Sequence, residues 1–289
     1  AGVKPKKGSE DEDTSVFCLE LLVAITLNNR DRIELLWPDV YEHISNIVQS
    51  TVMPCAQVEK AVFGLLRICH RLLPYKENIT DELLKSLQLV LKLDARVADT
   101  YYEQITQEVS NLVKANASHI RSQLGWRTIT SLLSITARHL ESSEAGFDAL
   151  YFIMSDGAHI LPANFVLCVD AAKQFAESRV GQVERSVVAL DLLAGSVNCL
   201  EKWTNDAKQV MEEEEVAKML QDIGDMWLRL VQGLKKLCLD QREEVRNHAL
   251  LLLQNCLTGS VGIHIPHDLW LQCFDQVIFT VLDDLLEIS

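Results

Sequence analysis

The sequence predicts an all-α fold, a HEAT- or armadillo-like helical-repeat solenoid of about a dozen helices. Three observations predict it. Gly and Pro are scarce, at 12 and 6 in 289 residues, which leaves little turn chemistry for a β-rich chain. Leucine-rich apolar residues recur at helical spacing along nearly the whole length, and no segment alternates with period two long enough to make a convincing strand. The links between periodic segments are short, about two to eight residues, which favours antiparallel neighbours.

The elements follow in order. Residues 1–14 (AGVKPKKGSEDEDT) are polar and low in complexity, and read as a disordered linker ahead of a helical-repeat domain over 15–289. Ser15 is placed to cap a buried helix that runs through CLELLVAITL to Asn28-Asn29. Trp37-Pro38 opens the next helix, with Pro38 near its first turn, and Pro54 closes it. From Val58 to Leu73, the residues Val58, Val62, Leu65, Leu66, Cys69 and Leu73 keep one face, and Pro74 ends the segment. Thr80 is expected as the N-cap of a helix with Leu83, Leu84, Leu87 and Val90 inside. Further helices are predicted near 95–115, 124–140, 143–154, 162–178, 182–203, 206–238, 240–257 and 266–287, with a subdivision near 204–210. The 206–238 segment has the cleanest apolar stripe, from Val216 to Leu234. Glu212–Glu215 stand at its start, where carboxylates complement the helix dipole. They read as a solvated first turn, with an acidic docking site the sharper alternative.

Composition excludes several function classes. The net charge is −14 and the pI about 5.0, which argues against a broad nucleic-acid surface and against general adsorption to anionic membranes. The eight cysteines form no CxxC pair and sit mostly on apolar helix faces, as reduced core residues of a cytosolic protein do. No apolar run approaches the roughly 20 residues of a membrane span, and no leader peptide is evident. No Gly-rich phosphate loop, GxSxG elbow or HExxH is present. His264-Ile265-Pro266-His267, with Cys273 downstream, makes a weak metal match that reads better as a surface loop. Cys69-His70 are adjacent and point about 100° apart on a helix, so they do not form a nucleophile–base pair. Asp283, Asp284 and Glu287 read as a solvated face. No catalytic residue, metal ligand or cofactor is therefore assigned.

One cationic cluster stands out in the acidic chain. Asn29-Arg30-Asp31-Arg32 falls at a helix junction, and Arg30 and Arg32 are the candidate contacts to a phosphate or an acidic partner. The structural alternative pairs them with Asp31, Glu34 or Asp39, or with the carboxyl end of the preceding helix. Asp240-Gln241-Arg242-Glu243-Glu244-Val245-Arg246-Asn247-His248-Ala249-Leu250 resembles the HEAT signature, with Ala249 permitting close helix packing and Arg246 tying neighbouring repeats to an acidic partner. Glu184–Val188, about 61 residues earlier, is a weaker echo.

Several stretches resemble the large Arf guanine nucleotide exchange factors of the Golgi brefeldin-A-resistance subfamily, with its animal members foremost. They are LELLVAITLNNRDRIELLWPDVYEHI at 19–44, VEKAVFGLLRICHRLLPYKENI at 58–79 and SQLGWRTITSLLSITARH at 122–139. ESRVGQVERSVVALDLLAGSV at 177–197 and DQREEVRNHALLLLQNCLTG at 240–259 continue the likeness. It extends from about residue 16 to the end. The resemblance implies the helical region downstream of the catalytic domain, with no catalytic residue to carry over. It implies a non-catalytic regulatory and membrane-targeting module in early Golgi traffic and COPI recruitment. Its partners would be other domains of the same exchange factor, Golgi membrane-associated proteins or small GTPases. The location implied is cytoplasmic, with peripheral recruitment to Golgi and ER–Golgi intermediate membranes. The alternative function is direct phosphoinositide recognition through Arg30 and Arg32.

Overall fold

The computed structural model describes residues 7–210, 212–259, 263 and 265–288. Its helices are α1 (Lys7–Asn28), α2 (Ile33–Val48), α3 (Cys55–Leu72), α4 (Thr80–Ser86), α5 (Ala95–Asn116), α6 (Gln123–Ile135) and α7 (Ser143–Met154). They continue with α8 (Phe165–Glu177), α9 (Val183–Gly195), α10 (Val197–Val210), α11 (Glu213–Leu237), α12 (Glu243–Thr258), α13 (His267–Cys273) and α14 (Phe279–Ile288). A π-turn over Phe274–Ile278 joins the last two, and there is no strand among the described residues. The all-α helical-repeat fold predicted from the sequence is the one observed.

The chain divides into two compact units, Ala1–Leu132 with Glu144–Ala149, and Leu133–Ser143 with Leu150–Ser289. The division falls around 132–150. In the first unit α3 is central and packs on α1, α2 and α5. Val62, Leu65, Leu66, Cys69, Leu83 and Leu84 are fully buried there, so the spacing read over 58–90 does mark the inner face. Gly64 lets α1 come close, because a Cβ at that position would lie 2.7 Å from Val23 Cγ2. Trp126 is buried whole and its indole N–H donates to Ile120 O at 2.8 Å, which satisfies its one polar atom.

In the second unit α11 packs on α8, α10 and α12, and α9 packs on α8 and α12. Trp227, Leu230, Val231 and Leu234 of α11 are buried, as the stripe predicted. Ala249 is buried too, in the helix where the HEAT-like signature placed a small residue.

Several local expectations are corrected. Helix α1 begins at Lys7, so residues 7–14 are helical where a linker was expected; residues 1–6 lie outside the described residues. Pro38 sits inside α2, not at its start, because a short 3-10 turn over Arg30–Arg32 launches the helix at Ile33. Pro54 precedes α3 as its N-cap residue. Thr80 is not an N-cap: the 3-10 turn Glu77–Ile79 already starts the helical path, and Thr80 Oγ1 donates back to Lys76 O at 3.2 Å. The single helix expected over 182–203 is two, parted at Gly195-Ser196, where the Ser196 hydroxyl donates to Leu193 O at 2.6 Å.

The turns between helices are tied to one another within each unit. In the first, Lys76 Nζ donates to Asp31 O (3.0 Å), Arg96 to Thr51 O (3.2 Å), and the Ser122 hydroxyl bonds Asp81 Oδ1 (2.5 Å). In the second, Ser178 Oγ donates to Ala137 O, Arg185 to Ser143 Oγ (2.6 Å), and Arg242 to Ser178 O (3.0 Å). Most of these bonds join positions about 40–65 residues apart, the spacing expected when successive helical hairpins stack with their turns aligned.

Candidate functional site

Arg30 and Arg32 stand on the 3-10 turn between α1 and α2, and both are exposed. The Arg30 guanidinium lies over the Tyr75 ring, 4.6 Å from its centroid, a cation–π contact of modest strength at an exposed site. Of the acidic groups expected to neutralise the pair, Glu34 is engaged elsewhere. Glu34 Oε1 accepts from Asn78 Nδ2 at 2.8 Å and lies 3.8 Å from Lys76 Nζ. Neither arginine forms an ion pair among the described residues. Both arginines are thus exposed, with the Arg30 guanidinium beside a half-exposed tyrosine, a geometry open to an anion.

The second cluster is structural. Asp240 Oδ1 accepts from the Arg242 backbone N–H and from its Nε, each at 2.9 Å, and Asp240 Oδ2 accepts from Nη2 at 3.0 Å. The same guanidinium donates to Ala176 O (2.8 Å), Ser178 O (3.0 Å) and Ser186 Oγ (2.9 Å). It thus caps the carboxyl end of α8 from the turn before α12. Burial pushes the Asp240 carboxyl up, yet the hydrogen bonds and charge of Arg242 win and hold it below its ordinary value. This corrects the role given to Arg246, which donates to Asp240 O at 3.1 Å; Arg242 is the residue that ties the repeats.

The remaining candidates resolve as follows. Cys69 is buried and its thiol donates to Leu83 O at 3.4 Å. Burial pushes Cys69, Cys168 and Cys238 up to about 12, and Cys256 and Cys273 up to about 11. A thiol held protonated is not a nucleophile at neutral pH. Glu212–Glu215 are exposed at the start of α11. His264 lies outside the described residues, and no group of three His, Cys, Asp or Glu able to hold a metal occurs among those described. No described helix is long and apolar enough to cross a membrane.

The sequence reading missed one feature. A cleft of about 660 Å³ in the second unit is lined by Tyr151, Asp156, Asp191, Asn198, Lys202 and Trp203, among others. Its rim is the left-handed pair Asp156 (φ 56°) and Gly157 (φ 67°). The Ser155-Asp156-Gly157 tripeptide was the available signal, since Asp-Gly favours such turns. Asp191 is engaged by His248, with Nε2 to Oδ1 at 2.6 Å.

Fold and sites together define a helical-repeat region whose polar side chains mainly tie helices to one another. Comparison with known proteins gives it a family. Residues 227–289 match the family described as GBF1-like, tetratrico peptide repeat region. The chain is 72% identical, over its whole length, to the ARF guanine-nucleotide exchange factor GNOM of Arabidopsis thaliana. It is 65% identical over 98% of its length to the ARF guanine-nucleotide exchange factor GNL1 of the same plant. The Caenorhabditis elegans homolog of Golgi-specific brefeldin A-resistance guanine nucleotide exchange factor 1 is 38% identical over 43% of the chain, which is 6% of that protein. The animal likeness put foremost from the sequence is thus the weaker one. The chain belongs to the large Arf guanine-nucleotide exchange factors, and it spans about a fifth of the length of the plant relatives. No solved structure matches it.

Proposed function

We propose that this chain is a non-catalytic regulatory and membrane-targeting region of an Arf guanine-nucleotide exchange factor, lying downstream of the catalytic domain. It serves early Golgi vesicle traffic and COPI recruitment. The observation that carries the reading is the 72% identity across the whole chain to one such exchange factor. The helical-repeat fold supports it, because stacked hairpins offer extended surfaces to partners. The partners proposed are other domains of the same exchange factor, Golgi membrane-associated proteins and small GTPases including Arf. The place of action is the cytoplasmic face of Golgi and ER–Golgi intermediate membranes, reached by peripheral recruitment.

The test compares a full-length exchange factor with one lacking this segment, scoring Golgi location in cells and Arf nucleotide release on liposomes. Loss of location with the catalytic fragment's rate in solution unchanged is the expected result. Nucleotide release accelerated by the 289-residue chain alone would refute the non-catalytic assignment.

The second reading, phosphoinositide recognition, is favoured by the exposure of Arg30 and Arg32. Two such residues contribute about 2 kcal/mol at an anionic surface, too little for stable recruitment. Flotation on phosphoinositide vesicles should therefore be weak for the wild-type chain. Tight flotation that Arg30→Ala with Arg32→Ala abolishes would put lipid recognition first.

A further inference from the structure

The cleft of about 660 Å³ between the Ser155–Gly157 turn and the α9–α10 junction falls in the size range of ligand sites. Its whole lining lies between Tyr151 and Trp203, within the second unit, so the concavity is formed by that unit's own helices and turns. Met154, Ile160 and Leu192 give it a buried apolar lining. Trp203 stands beside them, held edge-on by the buried Phe165 with ring centroids 5.9 Å apart. Asp191 and Gly195 also line a second cleft of about 320 Å³, to which Glu201 and Asn255 belong. The two clefts adjoin at the α9–α10 junction and make a trough, a shape that suits an extended chain better than a compact metabolite.

The polar groups of the trough have one sign and spare capacity. Asp156 is the one non-glycine residue with positive φ among the described residues, at 56°, a conformation that collects at ligand clamps. Its carboxylate and that of Glu201 have no partner among the described residues, and Asp191 uses only Oδ1, on His248 Nε2. Against these three carboxylates stands one cation, Lys202. The Asn198 and Asn255 carboxamides are exposed and make no side-chain hydrogen bond among the described residues. Each offers a donor and an acceptor, which is what a peptide backbone requires. An indole beside carboxylates favours a Lys or Arg side chain, and the same carboxylates repel an anionic lipid. We infer that this trough binds an extended segment of a partner protein that carries Lys or Arg. The inference rests on the cleft alone, and holds or fails independently of the regulatory reading above.

The probe is a fluorescent peptide of about nine residues that alternates Arg with Gly or Leu around a central Pro, which keeps it from forming a helix. The same peptide with Glu for every Arg is its control. Anisotropy titration of the full chain should show the basic peptide binding at least about tenfold more tightly than the acidic one, and weakening as salt rises. Asp156→Asn with Asp191→Asn removes two charges at nearly constant shape, and asparagine tolerates the left-handed turn; this variant should bind about tenfold more weakly. Lys202→Glu should bind more tightly than wild type. Charge reversal at the exposed Glu213 and Glu214 should leave binding unchanged. An unlabelled basic peptide should shift the tryptophan emission of the wild type and not that of Trp203→Phe, which keeps a ring against Phe165. No binding, or equal binding of the two peptides, would remove the site. Weakening by the Glu213 and Glu214 reversal equal to that of the Asp156 and Asp191 variant would mean that the peptide reads net charge only. Binding that leaves the Trp203 emission unmoved would place the peptide elsewhere, and binding that disappears in a full-length exchange factor would give the trough to the same polypeptide. Each of these last four outcomes overturns the inference.

Discussion

Replacing Arg242 by alanine should destabilise the second unit severely. The wild-type guanidinium makes a two-pronged ion pair with Asp240 and caps two carbonyls at the end of α8, as well as Ser186 Oγ. The pair is mostly shielded, with the Arg242 and Asp240 side chains 18% and 10% exposed. Removing one partner of a buried pair costs about 3–5 kcal/mol. Water can rehydrate part of the helix end, so the lower figure, about 3 kcal/mol, is the better expectation. In a unit of roughly 150 residues each kcal/mol moves Tm by about 2–4 °C, a drop of about 6–12 °C. Arg242→Lys keeps the charge but not the planar fork, and should recover only a minority of the loss. The loss also depends on pH. The Asp240 carboxyl is held below its unfolded value, so its contribution is present above about pH 4 and fades as pH falls through the folded value. The gap between wild type and variant should therefore narrow in acid. Circular dichroism at 222 nm follows the melt, and hydrogen exchange at the end of α8 localises it. An unchanged Tm, or a lysine variant equal to wild type, would show that Arg242 does not hold the hairpins together.

Three further outcomes are expected. Ala249→Trp should cost about 1–3 kcal/mol or more by overpacking a fully buried position, and an unshifted melt would mean that α12 does not pack as described. Gly157→Ala should cost about 1–2 kcal/mol, since φ is 67° and the new Cβ would lie 2.7 Å from Cys199 Sγ; a neutral melt would argue against the left-handed turn. At pH 8 a disulfide reagent should modify the exposed Cys18 in the native chain and reach Cys69 and Cys168, both held as thiols by burial, only on unfolding. Rapid native labelling of Cys69 would contradict its packing.

Periodicity and proline placement carry far in this sequence because they report local physics. The stripe from Val216 to Leu234 and the inner residues of 58–90 follow from a helix burying one face, and Pro54, Pro74 and Pro266 mark helix limits because proline does not continue a helix. Two of the misplaced limits share a cause. At Arg30–Arg32 and Glu77–Ile79 a 3-10 turn starts the helical path early, and no single residue announces it. At Gly195-Ser196 one expected helix becomes two, with the Ser196 hydroxyl donating to Leu193 O, which periodicity does not register.

Sites depend on which residues meet, and spacing alone does not fix that. Arg242 and Arg246 both lie in the HEAT-like segment, one turn apart. Only the three-dimensional path of α8 puts the carbonyls of Ala176 and Ser178 within reach of the first and leaves the second to a local bond with Asp240 O. Arg30 faces Tyr75 for the same reason, across 45 residues of chain that no periodicity connects. The acidic side chains beside Phe279, Leu282 and Leu286 read from sequence as a solvated face because a helix ordinarily turns its charges outward. They share the outward side with these apolar residues because Val277 and Val281 already supply the buried side of this segment.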